Sequence, residues 1–151
     1  MRLDEDDARD VGSLDVAATR RVGRVFERVD GLVERAALDS PLEPTAVVVE
    51  FGDGIGAATW ARIEARWFDT GAYNVHHVDE SGRNFRFDRH PKPGVPTAHF
   101  HPPPEAESGA AEPSCISVEE PPVVARAVHR LWRRAYDTGD VERLNAAENP
   151  P

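Results

Sequence analysis

The sequence predicts an α+β fold, an antiparallel meander sheet of four to five strands with an N-terminal and a C-terminal amphipathic helix packed on one face. Three observations predict it. Apolar residues recur at helical spacing near both ends of the chain, the middle alternates apolar and polar residues with period two, and short Gly- and Asp-containing turns separate the alternating runs. At 151 residues the chain suits one compact domain. The expected organisation is a disordered acidic N-terminus over 1–12, a single domain over 13–140 that includes a Pro-rich loop at 91–113, and a C-terminal tail over 141–151.

The first helix begins at Ser13 or Asp15, both able to accept from the free N–H groups of a first turn. Its stripe runs Leu14, Ala18, Val22, Val25, Val29, Leu32 and Ala36, and Ser40 with Pro41 ends it. Residues 46–51 (AVVVEF) read as the first strand, and 57–68 alternate as the second. Gly52-Asp53-Gly54 between them reads as a hairpin turn. Asp69-Thr70-Gly71 turns the chain again, and 72–78 and 83–88 form the third and fourth strands. Seven of the 23 residues in 91–113 are Pro, which predicts a loop or lid, and 114–118 is expected to return as a short fifth strand. Pro121 and Pro122 open a second helix whose stripe is Val124, Val128, Leu131 and Ala135, with Gly139 as its stop.

Composition narrows the setting. Acidic residues outnumber basic ones 27 to 18, the formal charge is -9, and Lys92 is the only Lys. An acid-rich surface with almost no Lys is the composition of extreme halophiles, so the charge reflects solvent more than a cationic partner. Cys115 is the only cysteine, which excludes an internal disulfide and a Cys-rich zinc site. Its place in SCISV suits a small apolar residue better than a nucleophile. The acidic start MRLDEDDARD is unlike a signal peptide, and no run approaches the length of a membrane span. A cytoplasmic protein is expected, with no membrane association. The run Gly52-Asp53-Gly54-Ile55-Gly56 is not a phosphate loop, because a strand pattern follows where a nucleotide fingerprint needs a helix. No cofactor is expected.

The chemistry concentrates in 85–104, FRFDRHPKPGVPTAHFHPPP, which holds Arg86, Asp88, Arg89, His90, His99 and His101. Residues at i and i+2 of an extended segment share a face, so His99 and His101 can act on one target, and the prolines after His101 favour extended backbone there. Arg62 and Arg66 share a face of the second strand with Glu64, and with Arg86 and one of His76 and His77 they could form a cationic patch. Such a patch suits a phosphate. RNA cleavage without a metal needs a general base, a general acid and cations on the developing phosphorane charge, and His and Arg meet those needs near neutral pH. In this reading His99 and His101 are acid and base, and His90 is a further catalytic candidate. Arg86 and Arg89 clamp phosphate, and Asp88 orients a neighbour. The cluster is expected to share one solvent-reachable pocket. The same histidines, His90, His99 and His101, with Asp88, could instead bind Zn or Ni. They could also be purely structural. On the second helix Arg126, Arg130 and Arg133 form a basic stripe that could hold RNA phosphates or an acidic partner, while His129 reads as a surface residue.

The stretch YNVHHVDESGRNFRFDRHPKPGVPTAHFHPPP resembles the TumE-type toxin family of prokaryotic toxin-antitoxin systems, with the composition of a haloarchaeal-like member. The matching pattern is an aromatic strand, a Gly turn, Arg-aromatic-Asp and a His-rich segment beside prolines, and it carries over to Arg86, Phe87, Asp88, His90, His99 and His101. The resemblance implies a short α+β protein paired with a cognate antitoxin. This chain departs from the pattern in its longer first helix, an acidic Pro-rich insertion at 105–113 and an extended last helix. Combined with the residue chemistry, the resemblance leads to an expected toxin that acts on RNA as a metal-independent ribonuclease. The alternatives are a non-catalytic partner-binding module and a His-based metal-binding protein.

Overall fold

The computed structural model describes residues 11–90 and 97–147. Helix α1 (Val16–Val29) leads into strands β1 (Val33–Leu38), β2 (Val47–Phe51), β3 (Ala61–Trp67), β4 (Tyr73–Asp79), β5 (Asn84–Arg89), β6 (Ala98–His101) and β7 (Glu112–Pro113), and helix α2 (Pro121–Thr138) follows. The strands pair antiparallel in sequence order, so the sheet is the expected meander. Among the described residues it has seven strands where four to five were predicted, and the additional strands arise at two places.

The first is the end of α1. Asp15 caps the helix by accepting from the Ala18 N–H at 3.0 Å. The helix stops at Val29, not beyond Ala36, because Asp30 leaves helical geometry and its carboxylate takes the Leu32 N–H at 2.9 Å. Leu32 and Ala36 continued the apolar stripe only because strand alternation happened to match it. Ala36 belongs to β1, opposite Val49 of β2, and Leu32 lies in the turn that leads into that strand. The second place is the Pro-rich segment. Within its described part, 97–113, the chain forms β6, a 3-10 turn over Ser108–Ala110, and β7. The strand expected over 114–118 is not formed. Instead Ile116 is buried without a ladder partner, and the last pairing lies just before it at Glu112–Pro113.

One face of the sheet is the core. Val47, Val49 and Phe51 of β2, Ala61, Ile63, Ala65 and Trp67 of β3, and Phe85 and Phe87 of β5 point towards it. Both helices lie on that face. Phe51 packs edge-on to Phe26 of α1 with centroids 6.3 Å apart, and it meets Trp132 of α2 at 4.3 Å. Helix α2 ends as expected, with Gly139 left-handed at φ 75 and its N–H bonded to Ala135 O.

Residues 1–10 of the expected N-terminal tail, 91–96 of the expected loop and 148–151 of the C-terminal tail lie outside the described residues. Val11 is buried and its carbonyl accepts from Thr70 Oγ1 at 2.5 Å. Leu144 is buried as well, and Asn145 Oδ1 takes the Cys115 N–H at 2.7 Å. No helix among the described residues is long and apolar enough to cross a membrane.

Candidate functional site

The face of the sheet away from the helices carries the predicted cluster. Alternation along β5 turns Phe85 and Phe87 into the core and Arg86 and Asp88 to the other side. The register of β6 sets His101 opposite Arg86 and His99 opposite Asp88. The His90 N–H bonds to Thr97 O at 2.9 Å, which continues the pairing past the end of β5 and returns His90 to the face of Asp88.

Asp88 is the centre. Its Oδ2 lies 2.7 Å from Arg86 Nε, 3.2 Å from His101 Nε2, and 3.6 Å from both His90 Nε2 and His99 Nε2. These contacts to Oδ2 are close but fall outside hydrogen-bond geometry. Oδ1 accepts from Asn74 Nδ2 at 2.7 Å. Burial of Asp88 favours the neutral acid, but the three imidazoles, with the Arg86 charge, outweigh it and hold the carboxyl well below its ordinary value. The His99 ring stands edge-on to both His90 and His101, with centroids 4.9 and 5.0 Å away.

His101 is fixed at both nitrogens. Nδ1 is 3.1 Å from the Glu107 carbonyl, which can only accept, and Nε2 is 3.0 Å from Arg86 NH2, which can only donate. Arg86 therefore bridges Asp88 and His101. The segment after β6 folds back to make this possible. Asn84 N bonds Pro104 O at 2.7 Å, and Ala106 is buried.

Among the described residues, the cluster is buried and not open to solvent as expected. Asp88, His99 and His101 have no exposed surface, while Arg86 and His90 keep 4% and 5%. The other predicted residues lie elsewhere. Arg89 is on the opposite face of β5 from Arg86 and pairs with Glu119, so it does not join Arg86 as a second clamp. Arg62 and Arg66 share the polar face but flank Glu64 at 3.6 and 3.5 Å, which neutralises part of the expected patch. His76 is the member of its pair on that face, with Nε2 2.8 Å from Asn84 Oδ1, whereas His77 enters the core. Arg126 and Arg130 are exposed on α2. The stripe is broken at Arg133, which binds Asp30 at 3.1 Å and Asp137 at 3.2 Å. His129 is not a free surface residue, since its Nε2 contacts the buried Asp30 at 2.8 Å.

Sequence reasoning missed Asn74, which accepts from Arg66 NH1 at 3.4 Å and donates to Asp88, linking the outer arginine to the cluster. It also missed the Glu107 carbonyl. The β3–β4–β5 register, which sets Arg66, Asn74 and Asp88 side by side, is the signal that would have found Asn74.

Comparison with known families bears on the whole of this architecture. The family model for toxin TumE matches residues 23–139, from the middle of α1 to the cap of α2. The chain belongs to the TumE toxin family. No curated protein and no solved structure matches it. TumE membership makes this chain a toxin component of a toxin-antitoxin system and implies a cognate antitoxin as its partner. The matched span contains every residue of the Asp88 cluster.

Proposed function

We propose that this TumE toxin acts on RNA, and that it cuts the strand by metal-independent acid-base chemistry at the Asp88 cluster. The observation that carries the reading is the convergence of three imidazoles and one guanidinium on a single carboxylate. His99 and His101 serve as the acid-base pair, with one taking the 2′-hydroxyl proton and the other returning a proton to the leaving oxygen. Arg86 meets the charge that develops on the phosphorane, and Asp88 orients the imidazoles. Asn74 holds Asp88 in place. Because the cluster is buried, cleavage requires the stretch over 102–111 to withdraw, which breaks the Glu107 contact to His101 and frees its ring.

The test uses purified protein and labelled RNA in concentrated KCl, with EDTA present. The expected result is cleavage that the His99→Ala variant loses by about 10²–10⁴-fold. Intact RNA with the wild-type chain, together with undiminished toxicity of His99→Ala in cells, overturns the reading.

A second reading has an observation of its own. Ligand atoms of Asp88, His90 and His99 all lie within 4.8 Å of one another. Two of the separations, at 3.6 Å, approach the roughly 3.4 Å between neighbouring donors of a tetrahedral ion with bonds of about 2.0–2.1 Å. Two imidazoles and a carboxylate suit Zn or Ni. Stoichiometric metal in the purified protein, lost in the His90→Ala/His99→Ala variant, supports this reading, and metal-free protein after growth with both ions ends it.

A further inference from the structure

Among the described residues, strand β1 is one of the two edges of the sheet. Its residues pair with β2 in one register, Arg35 with Glu50, Ala36 with Val49, Ala37 with Val48 and Leu38 with Val47. The Asp39 N–H bonds to Ala46 O at 3.0 Å in that same register. Orientation alternates along an antiparallel pair, so Arg35 and Ala37 also face β2, and the backbone N–H and C=O groups of Ala36 and Leu38 point outward from the sheet. The β-bulge between Val33 and Arg35 protects only the start of the strand.

A groove runs along each side of that edge. On the helix side, a groove of about 440 Å³ is walled by Arg20 and Arg24 of α1 and floored by Leu38, Pro41 and Val47. Arg35 also lines it, and Glu27 is its one acid. On the far side, a groove of about 240 Å³ is lined by Arg35, Ala37, Val48 and Glu50, with Asp39 at its end. Leu42, in the loop that follows Pro41, is 90% exposed. Successive side chains of a strand point to opposite faces. A strand laid on β1 would therefore send alternate side chains into the two grooves.

We propose that the β1 edge is a docking site for an extended, acidic segment of a partner protein, which adds as an eighth strand. Backbone hydrogen bonds to Ala36 and Leu38 hold it, carboxylates on its helix-side face meet Arg20 and Arg24, and an apolar residue covers Leu42. Three arginines against one glutamate make the helix-side groove a cationic place on a chain of charge -9. That charge also argues against a second copy as occupant. Two β1 edges paired with each other would bring both arginine sets together. RNA phosphates could satisfy the arginines but would leave the outward backbone groups of β1 unused.

The test measures fluorescence anisotropy of a short fluorescein-labelled peptide that alternates Glu and Val. A Lys-for-Glu version and a single-stranded RNA of similar length serve as comparisons. The acidic peptide is expected to bind saturably. Binding should weaken at least about tenfold in Arg20→Glu/Arg24→Glu, whose changes lie on exposed helix positions, and in Ala36→Pro. The latter removes an outward N–H without removing a β1–β2 bond. Thermal melts that match wild type establish that the variants fold, and the arginine variant stands alone where Ala36→Pro does not. Equal binding of all three probes, binding of RNA alone, no binding of the acidic peptide, or a wild-type chain that is already dimeric overturns the proposal. RNA cleavage is read separately on the same variants and is expected to be unchanged, so failure here is distinguishable from failure of the nuclease reading.

Discussion

Arg86 and Asp88, two residues apart on β5, form a buried ion pair in which Nε stands 2.7 Å from Oδ2. The same guanidinium reaches His101 Nε2 at 3.0 Å, so the pair also positions an imidazole. A buried pair of this kind contributes little over an apolar replacement, but removing one partner leaves the other charge stranded.

Asp88→Asn is therefore expected to destabilise the fold by about 3–5 kcal/mol. The double variant Arg86→Met/Asp88→Leu should recover part of that loss, because no charge is then left without a counter-ion. Urea denaturation of Arg86→Met, Asp88→Leu and the double variant gives the coupling energy. Additive losses would show that the two side chains do not depend on each other.

A close approach on the other side of the sheet gives a second expectation. Gly23 of α1 faces β2 so tightly that an added Cβ would lie 2.7 Å from Val47 Cγ2. Alanine is intrinsically the better helix residue by about 1 kcal/mol. Here the methyl must displace a β-branched side chain in a packed core, which costs about 1–3 kcal/mol. Gly23→Ala should lower the melting temperature, and a rise would mean that α1 can ride up without loss.

Asp30 ties the end of α1 to α2. Its carboxylate is 2.8 Å from His129 Nε2 and 3.1 Å from Arg133 NH1, and it also accepts the Leu32 N–H. Burial opposes its charge, but these partners outweigh burial and lower its carboxyl below the ordinary value. Asp30→Ala is expected to cost about 2–3 kcal/mol through the stranded partners. Arg133→Ala, whose side chain is 40% exposed, should cost about 1 kcal/mol or less. Equal losses in denaturant midpoints for the two variants would show that Arg133 and not His129 is the main partner.

These sites mark what the sequence could and could not disclose. Period-two alternation was enough to place Arg86 with Asp88 and His99 with His101, because side-chain direction along a strand is local. Arg89 was misjudged as a companion of Arg86 for the reverse reason, since residues three apart on a strand face opposite ways. The break at Asp30-Gly31 was hidden by apolar residues that fitted a helix and a strand equally well. The partnership of Asp30 with Arg133 spans 103 residues, and no local pattern encodes it. Burial of the cluster was likewise illegible. It depends on the chain after β6 returning to set the Glu107 carbonyl against His101, which prolines permit but do not dictate.

His77 provides a prediction in pH. Its ring lies in the core, stacked on Phe85 with centroids 4.3 Å apart and planes 15° from parallel. Burial is the main reason its pKa falls to about 3, and the nearby Asp79 only partly offsets it. In the unfolded chain the same imidazole takes up a proton near pH 6.5. Above about 6.5 both states are neutral and His77 adds no pH dependence. As pH falls from there towards 3, only the unfolded state gains the proton, so stability declines across that window. His77→Phe preserves a flat ring against Phe85 and has nothing to titrate. Its stability, measured by urea denaturation at pH 7, 6, 5 and 4, should fall less steeply than that of the wild type. Parallel curves for the two proteins would assign the acid sensitivity to other groups. Asp88 could not substitute in that account, because its lowered carboxyl stabilises the fold above about pH 3.9 and releases that stability only below it.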